Sequence, residues 1–161
     1  MSERITIIDF VDKYAAKYDQ DTFLREKING VWEETSFADT RKQGRVLAAA
    51  FMSLGLNKGE RVALLSEGRK LWIIAELGVL YAGGVDVPLS IKLEESNDLL
   101  FRIRHSDSRF VIVSQQQLPK IRKIIDHLPL VERVVVLDDL KEYKDKEIGI
   151  SEFIRMGQEY L

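Results

Sequence analysis

Five residues, Ser66-Glu67-Gly68-Arg69-Lys70, lie where an α/β protein would hold a nucleotide, between an apolar run and a helix-patterned segment. A dinucleotide fingerprint needs three spaced glycines in such a turn, and this one has Gly68 alone. A phosphate-cradling loop needs glycines followed by Lys-Ser or Lys-Thr, whereas Lys70 is followed by Leu71. Gly83-Gly84 comes after a helical run, so its amides sit at the wrong dipole end for phosphate. No phosphate loop is expected within these residues.

Other chemistry-bearing groups are sparse. His105 and His127 each fall near a predicted helix C-terminus, where an imidazolium is favourable for dipole reasons alone. The doublets Glu33-Glu34, Glu94-Glu95 and Asp138-Asp139 fall in hairpin, loop and strand-end contexts and are expected to be solvated. No serine sits in a nucleophile elbow. Trp72, within an apolar helix, is expected in the core. The residues by themselves describe a domain without a self-sufficient active site.

The elements that would position such groups are well patterned. Residues 5–18 carry Ile7, Phe10, Val11 and Tyr14 at helical spacing. Asn29-Gly30 between two extended runs predicts a hairpin with a type I′ turn. Across it, Phe23 and Trp32 form a ring pair or simply pack. Ser36, with Asp39 three residues on, caps a helix whose inward stripe is Gly44, Leu47, Ala48, Phe51 and Leu54, and Gly55 stops it. Residues 62–65, 110–114 and 134–137 are continuous apolar runs, the mark of strands covered on both faces. Helical segments at 70–82, 97–105 and 117–127 separate them. The fold class expected is α/β: a mostly parallel sheet with helices on both faces, plus an N-terminal helix and β-hairpin. Residues 61–89 form its centre, two buried strands joined by a buried helix. Residues 141–149 are charge-rich and predicted to be an exposed connection, after which Ser151 caps a final helix that packs through Phe153, Ile154 and Tyr160.

At 161 residues the chain is expected to be one domain or subdomain. A net charge of -2 gives no electrostatic footprint for nucleic acid. The absence of cysteine excludes disulfides and thiolate chemistry. The charged start is no secretory signal, and no apolar stretch reaches the ~20 residues a bilayer span needs. A cytoplasmic protein is expected, with peripheral attachment at the inner membrane face left open.

Three stretches in order carry a resemblance. ETSFADTRKQGRVLAAAFMSLGLNKGERVALL resembles the opening of the AMP-forming acyl-CoA synthetases within the adenylate-forming ligases, with Gly55, Gly59, Glu60 and Val62 on its turn into a strand. SEGRKLWIIAELGVLYAGGVDVPLS resembles the next segment of that family through Leu80, Ala82, Gly83, Val87 and Pro88. NDLLFRIRHSDSRFVIVS resembles the helix and strand that follow. The resemblance covers about residues 21–137 and is closest to the long-chain fatty acid:CoA ligases.

It implies part of the large N-terminal domain of a ligase that uses ATP, Mg and coenzyme A to convert a fatty acid to an acyl-adenylate and then to a thioester. The family's phosphate loop and catalytic lysine lie downstream and have no counterpart here. The chain is therefore expected to be an inactive N-terminal piece with no catalytic residue and no metal site of its own. Surface normally covered by the remainder is expected to promote dimers. On the coenzyme A side the resemblance points to Ser90 and Ile91 for the thiol channel, and to Lys120, Arg122 or Lys123 near the nucleotide. The alternative from the residues alone is a stand-alone α/β binding or regulatory module.

Overall fold

The computed structural model describes residues 4–161. Helix α1 (Ile7–Tyr18) opens on a reciprocal cap: Thr6 Oγ1 accepts the Asp9 amide at 3.2 Å, and Asp9 Oδ2 accepts the Thr6 amide at 2.7 Å. Strands β1 (Thr22–Ile28) and β2 (Val31–Ser36) form the expected antiparallel hairpin. Asn29 and Gly30 have φ of 49° and 83°, both positive as a type I′ turn requires. No Phe23–Trp32 ring pair forms. Trp32 lies opposite Lys27, while a register irregularity between Thr22 and Leu24 takes Phe23 out of the ladder and onto Phe37, 4.5 Å away between ring centroids.

Ser36 caps α2 (Phe37–Ser53) by accepting the Asp39 amide at 3.0 Å. Then follow β3 (Arg61–Leu65), α3 (Lys70–Tyr81), β4 (Val85–Pro88), α4 (Ser96–His105), β5 (Ser108–Val113) and α5 (Leu118–Ile124). A 3₁₀ turn over Ile125–His127 leads to β6 (Arg133–Val136), β7 (Glu147–Gly149) and α6 (Ile150–Tyr160). The five later strands make one parallel sheet in the order β4-β3-β5-β6-β7.

That order reverses direction once. The chain steps from β3 outward to β4, then returns past β3 to β5. Crossovers of one hand must then place α3 and α4 on opposite faces. The core divides accordingly. Val62, Leu64, Phe110 and Ile112 pack with Phe51, Val79 and Phe153 on one face. Ala63, Leu65, Val111 and Val113 pack with Leu99, Ile103 and Ile121 on the other. Apolar residues on both sides of each strand explain why these runs do not alternate. α2 lies close to two neighbours: a Cβ on Gly78 would stand 2.8 Å from Leu47 Cβ, and one on Gly157 only 2.0 Å from the Val46 carbonyl oxygen.

Four expectations need correction. β4 is a sheet edge, with Val85 45% exposed, because nothing pairs on its outer side among the described residues. The charged run 141–149 ends in β7, since the Glu147 side chain is buried there with its charge paired to Arg122. Ser151 is no cap: α6 starts one residue earlier, after extended Gly149, and the Ser151 amide donates to Asp139 Oδ1 at 3.1 Å. Tyr160 is exposed, whereas Phe153 is buried against Phe51.

Candidate functional site

Parallel sheets present ligands beyond their strand carboxyl ends, at the point where strand order reverses. Here that point lies between β3 and β5, and the chain's own side chains fill it. Gln117, after β5, donates from Nε2 to Glu67 Oε1, after β3, at 2.5 Å. Ser66, Ser114 and Gln117 are all buried in this cluster. Burial pushes the Glu67 carboxyl up, but hydrogen bonds led by Gln117 and the nearby Arg69 together hold it below the usual carboxylate range.

Alongside, Arg69 Nη1 contacts both Asp138 oxygens, at 2.8 and 3.0 Å, and Asp138 Oδ2 also accepts the Gln115 amide at 2.8 Å. The start of α3, which a phosphate loop would use, is closed too. Glu26 of β1 accepts the Lys70 amide at 3.1 Å, and Lys70 Nζ reaches Glu33 at 3.2 Å. A carboxylate from the hairpin thus sits at the dipole end suited to an anion.

The acidic doublets are therefore not merely solvated. Glu33, Glu34, Glu94, Asp138 and Asp139 each bind a partner: Lys70, Arg25, Lys120, Arg69 and Ser151 respectively. The Arg25–Glu34 pair follows from the hairpin register, whereas docking of the hairpin and loops makes the other contacts, which no local pattern announces. His105 closes α4 and stacks on Phe101 at 5.3 Å, and His127 closes the 3₁₀ turn. Trp72 is partly buried against the core. Among the described residues no group of three potential ligands is placed to hold a metal ion.

The residues singled out on the coenzyme A side separate into two sets. Ser90 and Ile91 are exposed in the turn after β4, where Ser90 Oγ accepts the Lys92 amide at 3.2 Å. Lys120 of α5 reaches this turn, donating to the Ile91 carbonyl at 2.7 Å and to Glu94 at 3.0 Å. Ser90, Ile91 and Lys120 thus share one corner of the carboxyl edge. Arg122 points elsewhere: its Nε and Nη2 each donate to Glu147, both at 2.8 Å, and that carboxylate side chain is only 4% exposed. Lys123 is exposed and makes no ion pair among the described residues.

A doubly wound parallel sheet with a self-filled switch point and a hairpin clamped on the start of α3 is a scaffold, and its kind is identifiable. Residues 11–157 match the AMP-binding enzyme family, and the chain belongs to it. Among curated relatives it is 26% identical over 157 residues to the long-chain-fatty-acid–CoA ligase ACSBG2 of Xenopus laevis, covering 96% of this chain and 21% of that protein. It is 31% identical over 146 residues to the ligase ACSBG1 of Rattus norvegicus, covering 89% of this chain and 20% of the relative. The chain thus spans about a fifth of the length of these relatives. Among solved structures, the anthranilate CoA ligase AuaEII in complex with anthranoyl-AMP superposes with a TM-score of 0.85 at 22% identity, over 96% of this chain and 29% of that one. The coronafacic acid ligase of Pectobacterium brasiliense gives 0.84 at 22% identity, over 94% and 29%. Both likenesses concern the fold. Among the described residues no helix is long and apolar enough to cross a membrane.

Proposed function

We propose that this chain works as part of an ATP-dependent fatty acid:CoA ligase that passes through an acyl-adenylate, and that the 161 residues alone are inactive. The observation that carries this is the match of 89% or more of the chain to long-chain-fatty-acid–CoA ligases over a fifth of their length. In that reaction a carboxylate oxygen attacks the α-phosphorus of ATP and pyrophosphate leaves. The coenzyme A sulfur then attacks the acyl carbonyl, and AMP leaves.

The residues present do not fit ATP or Mg. The α3 amide that would meet a phosphate already bonds Glu26, and the acidic side chains of the carboxyl edge are paired with the chain's own donors. No step of the chemistry is assigned to them. Their part is to hold the scaffold. On the coenzyme A side, the accessible groups are Ser90, Ile91 and Lys123, with Lys120 fixing the backbone of the turn through the Ile91 carbonyl. Arg122, bound to Glu147, would have to leave a buried carboxylate to reach a nucleotide. A protein of the relatives' length carrying this chain is expected to catalyse ATP–pyrophosphate exchange that depends on a long-chain fatty acid. No exchange with any carboxylate would overturn the proposal.

A further inference from the structure

Asp86 is the one carboxylate among the described residues with both oxygens buried and no well-formed hydrogen bond, the Val87 amide offering only a weak opposing contact. It lies in β4, a four-residue strand that pairs with β3 alone among the described residues. The register pairs it with fully buried Val62, so its side chain shares the sheet face covered by α3. An unpaired buried carboxylate is costly, and the usual remedy, a cation alongside, is missing.

The neighbours of Asp86 make this specific. From β3 the residue opposite is apolar Val62, and the guanidinium of Arg61 is turned away, donating to the Ser106 carbonyl at 2.7 Å and to Asp107 at 3.1 Å. From α3 the charged group acting on Asp86 is Glu76, a second carboxyl, which raises its pKa further. From the loop before β3, Glu60 is held by Arg109, and the Lys58 stem packs over Gly83. Burial first and Glu76 second push Asp86 up to about 7, and burial also raises Glu76.

We propose that Asp86, with Glu76 beside it, is a proton-controlled latch on the β4 edge: protonated, it lets β4 lie in register on β3; ionised, it loosens β4 and the Ser90–Ile91 turn that follows. An ionised Asp86 needs water or a cation, and the nearest route to water is outward past a strand with one neighbour. Interior strands cannot answer in this way. β4 also has little to hold it: the Val85 and Leu89 amides donate inward to Glu60 and Leu64, so by alternation the backbone groups of Asp86 and Pro88 face away from β3, and Pro88 has no N–H to offer a partner. The turn released is the corner that Lys120 holds through the Ile91 carbonyl. The latch rests on the geometry of Asp86 and holds whether or not the assignment as a ligase is right.

Hydrogen–deuterium exchange on the 161-residue protein tests it, at about pH 5 and about pH 9 after correction for intrinsic rates. Protection of residues 85–91 is expected to fall about tenfold or more at the higher pH while β5 stays unchanged. Asp86→Asn is expected to abolish the dependence. Glu76→Gln is expected to move its midpoint to lower pH, because the neighbouring carboxyl that resists ionisation of Asp86 is gone. A dependence that persists in Asp86→Asn, uniform protection at both pH values, or an unmoved midpoint in Glu76→Gln would overturn the latch.

Discussion

The Glu26 carboxylate of the hairpin accepts the backbone amide of Lys70 at 3.1 Å, capping the first turn of α3 from 44 residues away. Arg69, at the N-cap position, offers no side-chain cap of its own, so the helix depends on this long-range acceptor. The contact also anchors a two-stranded hairpin, an element that is marginal alone. Glu26→Ala is expected to lower stability by about 1 kcal/mol, the usual effect of losing a cap. Chemical denaturation would read it, together with faster amide exchange in β1 and β2. Unchanged values would mean the hairpin is held by its ring contacts.

Arg122 and Glu147 give a pH-dependent prediction. The Arg122 hydrogen bonds outweigh burial and hold Glu147 below its ordinary value. A depressed carboxyl stabilises the fold above its unfolded pKa and loses that contribution as pH falls through its folded one. Glu147→Gln is therefore expected to cost about 1–3 kcal/mol near neutral pH. The difference from wild type should vanish in acid. Urea melts at both pH values check this, and a deficit that grows in acid would contradict it.

Much of the scaffold was legible because its causes are local. Phe110-Val111-Ile112-Val113 has no polar face, so a strand covered on both sides is the simplest solution, and Asn29-Gly30 dictates its own turn. The misread positions have distant causes. Residues 147–149 look like linker because the partner that buries Glu147 lies 25 positions earlier. The exposed β4 edge depends on strand order, which periodicity does not carry. Nor does any spacing link Ile91 to Lys120, and resemblance to a family alone singled out that corner.

Close packing of α2 against α6 predicts the effect of a single methyl. A Cβ on Gly157 would stand 2.0 Å from the Val46 carbonyl oxygen, a backbone atom that cannot rotate away. Alanine gains about 1 kcal/mol of helix propensity over glycine. Overpacking of about 1–3 kcal/mol outweighs it here, because α6 must shift bodily. A lower melting temperature for Gly157→Ala is expected, and a higher one would mean that α6 docks less tightly.

Gly83 ends α3 with φ of 79°, a conformation strained for a β-branched residue. Gly83→Val is expected to destabilise by about 1–3 kcal/mol. Thermal melting reads this, and an unchanged midpoint would show that the turn can be built another way.

The role proposed for this chain is the scaffold of a ligase whose nucleotide chemistry lies in other residues. Carboxylate-dependent ATP–pyrophosphate exchange tests it most directly, measured side by side on the 161 residues and on a protein of the relatives' length that contains them. Exchange dependent on a long-chain fatty acid is predicted for the longer protein and none above background for the 161 residues. Exchange by the short chain, or none by the long one, would contradict the account.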